Sequence, residues 1–196
     1  MHTHTHDARR YGFALGIGSL ALCMQWILVH CSASNALAGD AWHMSTDILV
    51  TGGAFAAMIL NKASLRRAVV IAGILLLAYG ALRVNAEAMH RIDAGSIPVD
   101  PLLMSVGALI GLGGNAGQFL IIHPMHGGSL KTIVNAHLLC DVLISFAVLA
   151  SAIIVYAGGA QWDAYLSFWI SVYMILLTLW ITYTTIQGKE ADHHHA

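Results

Sequence analysis

Residues 40–47 read DAWHMSTD, and they open a stretch, 36–60, that is otherwise apolar enough to cross a lipid bilayer. Within it His43 and Asp47 stand four residues apart. In an α-helix residues i and i+4 share a face, so the pair presents an imidazole beside a carboxylate. The pattern returns as HLLCD at 137–141, where His137 and Asp141 have the same spacing. An Asp at bilayer depth costs about 2.5–3.5 kcal/mol on insertion scales, and such residues usually face a partner or a wet cavity. Two such costs in two segments need something to offset them.

Composition places both pairs in a membrane. Of 196 residues, 58% are hydrophobic and 10% are charged, against roughly a quarter charged in a soluble domain. Segments of the length needed to span a bilayer fall at 11–31, 36–60, 68–89, 101–122, 132–156 and 163–186. The expectation is an all-α polytopic membrane protein with six transmembrane helices. It divides into a histidine-containing tail at 1–10, a six-helix transmembrane domain at 11–186 and a short tail at 187–196. Arg9 and Arg10 before the first segment, and the small residues SNALAGDA after it, resemble a secretory signal. Its apolar run is longer than the about 7–15 residues of a signal core, and another span follows at once, so it is read as a retained helix.

Basic residues set the orientation. With the N-terminus inside, Arg9, Arg10, Lys62, Arg66, Arg67, Lys131 and Lys189 lie on the cytoplasmic side, and Arg83 and Arg91 on the outer side. That asymmetry puts both termini in the cytoplasm, with the chain in the cell membrane. The balance of 9 Lys+Arg against 10 Asp+Glu offers nothing to nucleic acid. Cys23, Cys31 and Cys140 form no CxxC pattern and read as small apolar residues.

The depths of the pairs agree. His43 and Asp47 lie 7 and 11 residues beyond position 36 on the second segment, and His137 and Asp141 lie 5 and 9 beyond position 132 on the fifth. At about 1.5 Å per residue both sit near the middle of a core of about 30 Å, approached from opposite surfaces. Where the two helices touch, two imidazoles and two carboxylates make a tetrahedral set suited to Zn²⁺. Co²⁺, Ni²⁺ and Cd²⁺ accept similar donors. Two neutral imidazoles and two carboxylates balance a dication, and when the metal leaves, protons compete for the same atoms. Two other readings stand beside this one. Each pair can be a hydrogen bond stitching helices together, or the chain can be a non-transporting membrane protein, binding haem through axial histidines or sensing metal as an accessory subunit.

Longer stretches carry a resemblance. NALAGDAWHMSTDILVTGGAFAA at 35–57 and IVNAHLLCDVLISFAVLASAII at 133–154 resemble the second and fifth membrane helices of the cation diffusion facilitator family, each with its HxxxD motif. GDAWHMSTD matches the family's ADAxHxxxD pattern with Gly in place of the first Ala. EAMHRIDAGSIPVDP at 87–101 is similar to its connection from third to fourth helix, and QWDAYLSFWIS at 161–171 to the start of its sixth. The resemblance implies a transporter, not an enzyme, exporting a divalent metal in exchange for protons, as a homodimer. The transport ligands it implies are His43, Asp47, His137 and Asp141. Members commonly carry a cytoplasmic metal-binding domain after the sixth helix. This chain ends in GKEADHHHA, so a short form without that domain is expected.

Several features have plainer readings. His2, His4 and His6, the HPMH of His123 and His126, and His193, His194 and His195 all fall on the expected cytoplasmic face. They suit weak metal capture or simply polar tails and loops. His30 and His90 fall on the outer side. SVGALIGLGGNAGQ at 105–118 pairs Gly107 with Gly111 and Gly113 with Gly117, spacings that suit close helix packing. Asn115 within it suits a hydrogen bond to a neighbouring helix. Asp40 reads as an interfacial cap or solvated residue, or as a guide for released cations. Trp162, Trp169 and Trp180 fit an aromatic belt or helix packing.

Overall fold

The structure is a computed structural model that describes residues 2–60, 63–95, 97–122 and 129–193. The side chains of 2–8, 54, 57, 58, 63, 66, 122, 129–140, 186 and 188–193 lie outside the described set. The helices are α1 (His2–Ser32), α2 (Asn35–Leu60), α3 (Ala63–Ala94), α4 (Pro101–Ile122), α5 (Ser129–Gly158) and α6 (Gln161–His193), with no strand among the described residues. Each expected span falls inside one of them. The stretch 1–10, expected as a tail, is helical from His2 onward, continuous with α1.

Among the described residues, five stretches are long and apolar enough to cross a membrane: Arg9–Ser32, Arg67–Ala94, Pro101–Ile121, Asp141–Gly158 and Gln161–Thr185. The remaining helix, α2, carries Asp40, His43 and Asp47 in its first half. It tolerates them because it is the central post of the bundle: α2 touches each of the other five helices. α1, α4, α5, α6 and α3 follow one another around it, each packed on the next. From Asn35 to Ile48 no α2 residue is exposed. Its polar side chains therefore meet protein, where partners exist, and not lipid, where none would.

Local chemistry sets the helix ends on the side where α1, α3 and α5 finish. Asp100 caps α4 by accepting from the backbone N–H groups of Leu102 (2.9 Å) and Leu103 (3.0 Å), with Pro101 at the first helical position. Gly159, at φ 100°, ends α5 in a conformation that glycine adopts without penalty, and its N–H returns to the Val155 carbonyl. The turn from α1 to α2 passes through Ala33 at φ 56°. Ser34 then caps α2, its Oγ accepting from the Leu37 N–H at 3.1 Å.

Asp163 on α6 reaches across to the same place. Its carboxylate accepts from the backbone N–H of Asn35 (2.8 Å) and of Ala36 (3.2 Å) and from Ser34 Oγ (2.6 Å). Arg91 near the end of α3 lies 3.3 Å from the same carboxylate, 2.8 Å from Glu87 and 2.7 Å from the Ala33 carbonyl. Asn35 adds a bond from Nδ2 to the Val84 carbonyl at 3.0 Å. The start of α2 is thus fastened to both α3 and α6.

Two apolar clusters flank the post. Val29, Leu37, Ala41, Met104, Ala108 and Val148 belong to one, formed by α1, α2, α4 and α5. Leu77, Ala81, Met174 and Leu177 join α3 to α6 in the other. Close approach needs glycine at particular points: a Cβ on Gly80 would stand 2.9 Å from the Cβ of Trp42. The paired glycines of α4 divide. A side chain on Gly107 would strike Leu37, and one on Gly111 would strike Gln25 and Asp40, as close packing requires. Among the described residues, a Cβ on Gly113 would meet nothing within 4 Å and one on Gly117 would meet only Ile17, at 3.5 Å.

Candidate metal centre

The HxxxD pair of α2 is built as the spacing predicts. His43 Nδ1 lies 3.2 Å from Asp47 Oδ2, one turn along the same helix. From α5, Asp141 brings Oδ1 to 3.4 Å from the same nitrogen. All three residues are buried, and each offers a donor atom within 4.8 Å of the other two. One imidazole nitrogen and two carboxylate oxygens at that separation can close on a single divalent ion.

The fourth expected ligand, His137, lies on α5 four residues before Asp141, and its side chain is outside the described residues. Backbone register bears on its place. α2 and α5 run antiparallel, with Asp40 against Ser145 (3.0 Å) and His43 against Asp141 (3.4 Å). Continued one turn, the same register sets position 137 level with position 47.

Asp40 departs from the interfacial or solvated reading. It is 2% exposed, enclosed by α1, α4 and α5. Gln25 donates from Nε2 to Asp40 Oδ2 at 2.6 Å, and Ser145 Oγ lies 3.0 and 3.2 Å from the two carboxylate oxygens. Asn115 forms the bond to a neighbouring helix that its sequence position suggests, donating to Ser145 Oγ at 3.0 Å and reaching the Asp141 carbonyl at 3.4 Å. Gln25 and Ser145 carry no pattern that marks them in the sequence. The only signal was negative: polar residues inside spans that otherwise read as apolar.

The remaining histidines do not join the cluster among the described residues. His30 is exposed, with its ring centroid 6.3 Å from that of Trp26. His90 is exposed. His2, His4, His6 and His193 lie on helices with side chains outside the described residues, and His123, His126, His194 and His195 lie outside them altogether. Cys23 and Cys31 are free and exposed, and the Cys140 side chain is not among those described.

No curated protein matches the chain. The family model described as the cation efflux transmembrane domain matches residues 12–187, which takes in every helix that builds the cluster. Six helices, a buried His–Asp–Asp group on α2 and α5, and a match over most of the length agree. The chain belongs to the cation efflux, or cation diffusion facilitator, family of membrane transporters.

Proposed function

We propose that this cation efflux protein carries Zn²⁺ out of the cytoplasm in exchange for protons, through His43, Asp47 and Asp141 with His137 as fourth ligand. The observation that carries the reading is the meeting of His43, Asp47 and Asp141 within 4.8 Å, buried, between the two helices that bear the HxxxD pairs. Imidazole with carboxylate suits zinc and its neighbours Co²⁺, Ni²⁺ and Cd²⁺ better than harder ions. Each ligand must shed its proton to bind, so metal and protons compete for one set of atoms and one can be exchanged for the other. The basic-residue asymmetry supports both termini in the cytoplasm, and the match to the cation efflux domain supports export as the direction. A homodimer in the cell membrane completes the reading. The haem alternative gains no specific observation, since the described neighbours of His43 Nδ1 are carboxylates.

Flux tests it. In proteoliposomes, Asp47→Ala and Asp141→Ala each abolish Zn²⁺ movement while the purified proteins keep their helical content and elution volume. Wild-type flux in both variants would sink the assignment.

A further inference from the structure

A buried carboxylate outside the His43–Asp47–Asp141 group still has to be accounted for. Asp40 stands on α2 one turn from His43, is 2% exposed and takes two donors. Burial of such a network gives little stability by itself, since apolar residues of the same shape would usually do as well or better. What the network does give is direction. Ser145 donates its O–H to Asp40 and accepts from Asn115 Nδ2, and Asn115 also reaches the backbone carbonyl of Asp141.

We infer that Asp40 is a positioning residue for the transport site: through Ser145 and Asn115 it fixes the rotation and depth of α5, and so the place of Asp141 opposite His43. This rests on the reading of His43, Asp47 and Asp141 as metal ligands.

The geometry supports it in three ways. Asp141 and Ser145 are four residues apart on α5, hence on one face, so a constraint on Ser145 is a constraint on the azimuth of Asp141. The Asp40–Ser145 bond crosses the same α2–α5 seam as the His43–Asp141 contact, one turn away from it. The far end of the chain is anchored as well: Gln25 of α1 donates to Asp40 at 2.6 Å and lies 3.4 Å from the Gly107 carbonyl of α4. Gly111 leaves room for that junction, since a Cβ there would strike Gln25 and stand 2.7 Å from Asp40 Oδ2. Four helices are therefore tied at one carboxylate beside the site. Ligands whose supporting hydrogen bonds are removed typically lose metal affinity about 10–100-fold.

The test is equilibrium Zn²⁺ binding to the full chain in detergent by titration calorimetry, with thermal unfolding of each variant measured alongside. Ser145→Ala and Asn115→Ala weaken binding about 10–100-fold, and Ser145→Thr, which keeps the hydroxyl, restores most of it. Asp40→Asn combined with Ser145→Ala is little weaker than the worse single variant, because both break one chain of bonds. Ser145→Ala and Asn115→Ala that bind Zn²⁺ as wild type does, even if they unfold more easily, overturn the proposal and leave the ligand assignment standing. A wild-type chain that binds no Zn²⁺ overturns the ligand assignment and this inference with it. Ser145 and Asn115 are small substitutions, so the outcome does not depend on whether Asp40→Asn folds.

Discussion

Replacing Asp163 by alanine tests what holds the ligand-bearing helix in place. The side chain is 1% exposed and satisfies the backbone N–H groups of Asn35 and Ala36, which no intrahelical carbonyl can reach at the start of α2. Alanine leaves both donors buried and unmet, at about 1–3 kcal/mol each. Arg91 loses a partner at 3.3 Å but keeps Glu87 at 2.8 Å and the Ala33 carbonyl at 2.7 Å, so it is not stranded and adds little. Ser34 Oγ loses a bond to a charged acceptor but is free to turn toward another. The expected loss is about 2–5 kcal/mol, its upper end under the simple sum of about 6 because α2 can relax at its first turn. Asp163→Asn keeps one acceptor oxygen and loses about half as much. Equilibrium unfolding in mixed micelles, followed by tryptophan fluorescence, measures both variants. An Asp163→Ala protein within about 1 kcal/mol of wild type, the scale of a single ordinary cap, would refute the reasoning.

Three further outcomes follow from other parts of the molecule. Zn²⁺ affinity falls as pH drops through the histidine range, by about tenfold per unit for each proton that competes with the metal; calorimetry that finds one affinity from about pH 5.5 to 8 contradicts proton competition. Gln118 on α4 is 1% exposed, and among the described residues neither its Nε2 nor its Oε1 has a hydrogen-bond partner, so Gln118→Met raises stability by about 1–2 kcal/mol. A drop in unfolding midpoint for that variant would show that the amide is satisfied in the membrane. Gly80→Val drives a branched side chain into Trp42, where even a Cβ would stand at 2.9 Å, and costs about 1–3 kcal/mol in the same unfolding assay.

The juxtaposition of His43 with Asp47 was legible because helical spacing alone puts residues four apart on one face, and the apolar flanks of both HxxxD stretches make the expense visible. The six helices were legible for the same reason: lipid leaves long apolar runs no other way to satisfy their backbone. Asp40 was misread because it stands only five residues into α2, where water is the default neighbour. What removes the water is the way α1, α4 and α5 close over it, a tertiary fact carried by Gln25 and Ser145, which have no local signature. Asp163 was equally opaque. It stands in the first turn of α6, yet its partners Asn35 and Ala36 lie 128 and 127 residues away in sequence. The glycines of α4 show a further limit. Spacing names a candidate stripe, but which glycines meet a neighbour depends on the rotational phase of the helix, and Gly113 meets nothing within 4 Å among the described residues.

Fastening α2 at one end makes it a beam with a fixed support. Asn35 and Ala36 are held by Asp163, and Asn35 also by the Val84 carbonyl, whereas Asp47 stands twelve residues farther along. At about 1.5 Å per residue that is an arm of about 18 Å, so a tilt of about 10° about the support carries the Asp47 level sideways by about 3 Å. A displacement of that size is comparable to the 3.4 Å that separates His43 from Asp141 across the seam. With His43, Asp47 and Asp141 as the proposed ligands, a small rocking of the post against α5, with its Asp163 anchorage intact, is leverage enough to change their separation by the size of an ion contact.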